Sequence, residues 1–170
     1  MSAASSESLR PWILDTVEGF VFVPGIQKGT TMTQELLPSD AELIEAAAAL
    51  LSRVHDSGAV RVAAAARGIS GAVYLGVSLA TPRVKVCAES SAVANAKIGG
   101  DEAITTIVSV GLGVDGVPHV INPCGVCREL IPKFGQDLRV LIDTGDGVVA
   151  AAAPIELLPW PWIRARSYDD

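Results

Sequence analysis

The segment Ile104 to Leu112 constrains this chain more than any other. It is a nearly unbroken run of β-branched and apolar residues, the pattern of a strand buried on both faces. A strand of that kind needs cover on both sides, and helices supply it, so the chain is expected to fold as α/β around a central mixed sheet. The neighbouring segments agree. Ser39-Asp40-Ala41-Glu42 has the form of a capping box, which predicts a helix from there to about His55, ended by Gly58. Val60 to Ala66 and Ala72 to Ala80 read as a β-hairpin around Arg67-Gly68-Ile69-Ser70-Gly71. Cys87 to Lys97 suits a helix closed by Gly99-Gly100, and Cys124 to about Phe134 a shorter one after Pro123. Leu138 to Ile142 and Val148 to Ala152 look like the last two strands, with a turn of helix at 154–158.

Composition narrows the class. With 170 residues, 49% of them apolar, the chain buries one sizeable core, and disorder is disfavoured. Apolar runs such as Ala46 to Leu51 fall far short of the ~20 residues of a membrane span. Residues 1–10 are Ser/Ala-rich and expected to be loose, with no basic region leading into an apolar stretch that would read as a secretory signal. From Trp12 to Met32 the pattern is mixed, with a β-like run at Gly19 to Val23. The formal net charge of −6 works against a polynucleotide partner. The isolated His55 and His119 read as surface or core residues.

Chemistry concentrates on three cysteines, Cys87, Cys124 and Cys127. An odd count without a secretory context argues against a disulfide framework and indicates reduced thiols of the cytoplasm. Cys124-Gly125-Val126-Cys127 is a CxxC at a predicted helix start, and Cys87 begins another helix. Zinc prefers thiolate ligands in a tetrahedron, and three protein ligands are the count of a catalytic rather than a structural site. A redox pair is the competing reading of CxxC, but no thioredoxin-type strand precedes this one. Three thiolates leave one excess negative charge, which helix N-termini offset. Arg128, beside the last ligand, could add a hydrogen bond to a sulfur. Glu89 follows Cys87 by two residues, too far around a helix to be a fourth ligand but placed to act as a general acid/base. Its plain alternative is a favourable contact with the helix dipole.

Cys87-Ala88-Glu89 followed by Pro123-Cys124-Gly125-Val126-Cys127-Arg128 resembles the zinc-dependent cytidine deaminase family, in its small three-cysteine form that includes blasticidin-S deaminase. Val62-Ala63-Ala64-Ala65, the spacing of Gly71 to Gly76 and Glu156-Leu157-Leu158-Pro159 carry the likeness over about residues 40–165. The resemblance implies a three-layer sandwich with a five-stranded mixed sheet and a zinc domain over 39–170. Residues 1–38 are left as an N-terminal extension of unknown role. It further implies one zinc ion per subunit, hydroxide on that zinc as nucleophile, Glu89 as proton shuttle and a homotetramer. Ala88 and the backbone near Pro123 would hold the ring. Trp162 falls where the family stacks an aromatic on the base, often from a neighbouring subunit, and its alternative is packing of the tail.

The departures concern substrate. The family's ribose-gripping Asn-x-Glu falls on Ser78-Leu79-Ala80, its strand Phe on Val60 and the Arg after Cys-Ala-Glu on Ser90. Losing a carboxylate hydrogen bond to a sugar hydroxyl costs about 1.5–3 kcal/mol. Arg61, Arg83 and Lys85 flank the sugar position and could meet an acidic substituent. The chain is therefore expected to deaminate a small aminopyrimidine nucleoside such as cytidine. A different amino-heterocycle, such as a blasticidin-S-type antibiotic or a free base, stands as the alternative. A non-catalytic zinc protein is the third reading.

Overall fold

The computed structural model describes residues 33–135, 137–145 and 147–162. The expectations for residues 1–10 and Gly19 to Val23 lie outside the described residues, as does most of the 1–38 extension. The sheet is built outward from β5 (Ile104–Leu112), which pairs antiparallel along one whole edge with β1 (Val62–Gly68). Beyond β1 lies the antiparallel β2 (Val73–Val77). The other edge of β5 is divided. Its first half, at Thr106 and Ile107, pairs in parallel with β7 (Arg139–Asp143), which carries the antiparallel β8 (Val149–Ala152). Its second half, Ser109 to Leu112, pairs antiparallel with β6 (Pro118–Ile121). The result is the expected mixed sheet in the order β2-β1-β5-β7-β8, but with six strands rather than five, because β6 shares the β7 side of β5.

Period-two alternation assigns alternate residues of each buried strand to two separate cores. Ala63 and Ala65 join Val108, Val110 and Leu141 beneath α1 (Pro38–Val54), through its Leu43, Ala47, Leu50 and Leu51. Ala64 and Ala66 join Ile107 and Val140 beneath α2 (Ala88–Ile98), through its Ala92, Val93 and Ala96. The three layers are thus α1, sheet and α2, with α3 (Gly125–Leu130) on the α2 side. Small residues on β1 and β2 allow α2 to lie close. A Cβ on Gly76 would come within 2.2 Å of the Ala92 nitrogen and 2.4 Å of the Ala88 oxygen.

Strand β1 runs Val62–Gly68 rather than Val60 to Ala66, and three further boundaries differ from expectation. Helix α1 starts at Pro38 with Leu37 as its cap, not at Ser39, because Pro38 suits the first turn and the Asp40 carboxylate accepts the Leu37 N–H at 2.8 Å. The run Ala72 to Ala80 is broken after Val77, and Leu79–Ala80 (β3) pairs separately with Lys85–Val86 (β4). The helix expected to reach Phe134 is α only to Leu130 and then 3-10 over Ile131–Phe134, since Pro132 has no N–H to donate back to residue 128. Residues 34–37 of the expected extension join the domain. Gln34 exchanges backbone hydrogen bonds with Ala151, and Arg139 donates to the Glu35 carbonyl at 3.0 Å.

Candidate active site

Two helix starts converge to make the site. Cys87 is the cap residue of α2 and Cys124 that of α3, both with extended backbone, and Cys127 follows one turn inside α3. The Cys87 and Cys124 sulfurs lie 3.6 Å apart, and the three Sγ atoms fall within 4.8 Å of one another. All three cysteines are free. Tetrahedral zinc with Zn–S bonds near 2.3 Å sets ligand sulfurs roughly 3.8 Å apart, so this spacing fits a thiolate-bound cation.

Electrostatics point the same way. Burial pushes the Cys127 thiol far above its ordinary range, and the Glu89 carboxylate and the other two sulfurs add to the shift. Burial also raises Cys87, with the Cys124 sulfur acting in the same sense. At Cys124 burial acts upward too, but hydrogen bonds from the Cys127 and Val126 N–H groups and from the other thiols outweigh it, and its thiol sits below the ordinary value. Three sulfurs this close ionise together only around a positive charge.

Glu89, in the first turn of α2, is 6% exposed. It faces a cavity of ≈ 290 Å³ that also takes in Cys87, Ala88 and Cys124. The far side of this cavity is formed by Arg61, Ser78, Ala80 and Lys85. Thiol cluster, buried acid and substrate-sized space therefore occur together, the combination that metal-assisted hydrolysis requires.

A blasticidin-S deaminase from Bacillus cereus is 33% identical over 138 residues, covering 78% of this chain and 98% of that protein. The chain belongs to the cytidine and blasticidin-S deaminase family. Solved structures share the fold. Cytidine deaminase from Burkholderia pseudomallei is 27% identical with a TM-score of 0.60, over 72% of this chain and 98% of its own. That from Bacillus anthracis is 21% identical with a TM-score of 0.63, over 72% and 89%. That from Mycobacterium leprae is also 21% identical, with a TM-score of 0.60, over 74% and 100%. No family model matches the chain.

Within this family fold, the residues singled out from sequence separate into two groups. Cys87, Ala88, Glu89, Cys124, Ser78, Ala80, Arg61 and Lys85 line the one cavity, with Cys127 buried behind it. Val60, Arg83 and Trp162 do not line it. Val60 bridges Asp56 ahead of β1. Arg83 sits in the Thr81–Val84 turn, where its N–H meets the Thr81 hydroxyl. Trp162 is 72% exposed and borders a separate apolar groove with Ile155 and Pro132, its backbone N–H donating to the Glu129 carboxylate at 3.0 Å. Arg128 bonds no sulfur. Its Nε donates to the Pro123 carbonyl at 2.9 Å and its other end to the Leu157 carbonyl at 3.3 Å, anchoring the CxxC loop to α4 (Pro154–Leu157). Asn122 went unread. It lines the cavity and ties β6 to β7 by a pair of 2.9 Å bonds with the Asp143 backbone. Its position directly before Pro123-Cys124 was the available signal.

Proposed function

We propose that this chain is a hydrolytic deaminase of a small cytosine-like amino-heterocycle, with one zinc ion held by Cys87, Cys124 and Cys127. The observation that carries the reading is the placement of the buried Glu89 on the same cavity as Cys87 and Cys124, two of the three converging thiols. Zinc in such a set supplies a Lewis acid that makes water a better nucleophile near neutral pH. The remaining work belongs to the chain. Glu89 takes one proton from the attacking water and delivers it to the ring nitrogen, then takes the second from the hydroxyl added to the ring carbon and delivers it to the departing amine. One water is consumed, the exocyclic amine leaves as ammonia, and a carbonyl takes its place. The wall at Ala88, 1% exposed and close under β2, holds the ring flat against α2. The cavity lies at the lower end of the range for small-ligand sites, which suits a pyrimidine and its attached sugar.

Within that class the sugar-side wall favours a blasticidin-S-type substrate over cytidine. Ala80 offers no polar side chain. The Ser78 hydroxyl already accepts the N–H groups of Arg61 at 3.1 Å and Val62 at 3.0 Å. Ammonia release by the zinc-loaded protein from cytidine, deoxycytidine, cytosine and blasticidin S tests the reading, with Glu89→Gln as control. Turnover that depends on Glu89 is expected, fastest on blasticidin S. Failure on every compound, with zinc bound, would overturn it.

A further inference from the structure

The divided edge of β5 leaves a fork in the sheet. Strand β6 stays with β5 as far as the Ile121–Ser109 pair, whereas β7 parts from β5 after the Val140–Ile107 pair and runs on to Asp143 beside β8. Among the described strands β6 pairs with β5 and not with β7. The Asn122 side chain stands where that missing pairing would be. Its Nδ2 donates to the Asp143 carbonyl at 2.9 Å, and its Oδ1 accepts the Asp143 N–H at 2.9 Å. A primary amide carries a donor and an acceptor, as a peptide group does, and the exchange copies one rung of an antiparallel ladder. Asp143 is itself anchored. It lies in register with Val149 of β8, and its carboxylate accepts the N–H groups of Gly145 at 2.7 Å and Gly147 at 3.2 Å. Pro123, the next residue along, has no N–H to tie the loop back to the sheet. Its carbonyl is taken by Arg128 of α3, a bond within the CxxC segment.

We infer that Asn122 is a positioning residue of the reaction: its amide closes the fork, fixes the direction in which Pro123-Cys124 leaves the sheet, and so sets the Cys124 sulfur against Cys87. This rests on the deaminase reading above and deepens it. Cys87 and Glu89 are carried by α2, whereas Cys124 caps α3, so the 3.6 Å approach of the two sulfurs joins separately supported elements. A change in the exit direction after Ile121 moves one sulfur and leaves the other, together with the acid, in place. Asn122 is exposed on the cavity side, so water satisfies the freed Asp143 groups when the amide is removed. The fold is then kept, and the fixed geometry is lost.

The test uses the full chain in two forms. Loaded with cobalt(II), it reports the geometry of the thiol cluster through its thiolate charge-transfer and ligand-field bands. Loaded with zinc, it reports turnover of cytidine and blasticidin S. In Asn122→Ala the cobalt bands are expected to shift, and kcat per bound zinc to fall by about 10–100-fold with KM within about threefold of the parent. Asn122→Asp has nearly the same shape and keeps the acceptor for the Asp143 N–H, but it sets a carboxylate oxygen against the Asp143 carbonyl. It is expected to shift the bands and lower kcat in the same way. Asn95→Ala is the control. Its Nδ2 makes the same kind of bond, to the Leu75 carbonyl at 2.7 Å, from the last turn of α2, and its loss should leave bands and kcat unchanged. Unchanged bands and kcat in the Asn122 variants overturn the inference. A raised KM with kcat unchanged also overturns it, because the amide is then a direct substrate contact. Equal changes in Asn95→Ala overturn it as well. Should Asn122→Ala fail to fold, Asn122→Asp decides, and unfolding of both assigns the amide to the fold and not to the site. A parent without thiolate bands, or without turnover of either compound, overturns the deaminase reading and the inference with it.

Discussion

Replacing Gly76 by alanine tests whether the closeness of α2 to the sheet is what assembles the site. The added Cβ would stand 2.2 Å from the Ala92 nitrogen, 2.4 Å from the Ala88 oxygen and 2.9 Å from the Ala92 Cα, all of them backbone atoms that no rotamer change can move aside. Ordinary contact begins at 3.4 Å, so α2 must retreat by roughly 1 Å. Overpacking of that kind costs about 1–3 kcal/mol. The retreat also carries Cys87 and Glu89 with it, because they occupy the cap and first turn of the same helix. Cys124 and Cys127 belong to α3 and do not follow. A misplacement near 1 Å costs on the order of 100-fold in rate. Urea unfolding, zinc content and ammonia release measured on one preparation read the three consequences. Gly125→Ala is the matched control, since its Cβ would meet nothing within 4 Å although it sits between two of the clustered cysteines. If Gly76→Ala unfolds within about 0.5 kcal/mol of the parent and binds zinc and turns over as before, the close approach is not what positions the site.

Glu89→Gln keeps the metal and loses about 10²–10⁴-fold in kcat, checked by zinc content alongside ammonia release. Cys127→Ser removes a fully buried thiol of the cluster and should lower zinc stoichiometry well below one per chain, with chelator treatment of the parent reproducing the loss of activity. Asp40→Ala leaves Arg139 facing a buried gap where a 2.7 Å pair had been, and should cost about 3–5 kcal/mol in urea unfolding. Asp101 is held below its ordinary value by the Ser70 hydroxyl, by Tyr74 and by the Ser70 N–H. Its contribution to stability is complete above the unfolded value near 3.9 and is lost as pH falls through the lower folded value. Asp101→Asn should therefore flatten the acid limb of the urea midpoint between about pH 5 and pH 2.

The parts legible in the sequence were those written in contiguous patterns. Ile104 to Leu112 announced the central strand because both of its faces are covered. The thiol cluster was legible because two of its cysteines lie in one loop and the third sits beside an acid. Strand β6 was not read. Its Pro118 and His119 interrupt the apolar pattern, and it is held mainly by its register with Ser109 to Leu112. The short pair β3–β4 has two residues on each side, too few for any periodicity to register. Ser39 misled because the true box closes through Asp40, whose carboxylate serves both the Leu37 N–H and Arg139, a partner distant in sequence. Trp162 and Val60 were placed by likeness alone, and the local backbone directs them elsewhere in a single chain.

Ser78 carries a consequence for anyone wishing to redesign this pocket. Its hydroxyl serves as a small keystone at the lip of the sheet, where two consecutive amides of the entering strand converge on one oxygen. Installing an asparagine there to grasp a ribose would ask its carbonyl to satisfy those amides from one bond farther out before it could face a ligand. Sugar recognition is thus not one substitution away. A library that varies position 78 alone should return mostly weakened proteins, and paths toward plain nucleosides should begin at Ala80, which has no such duty.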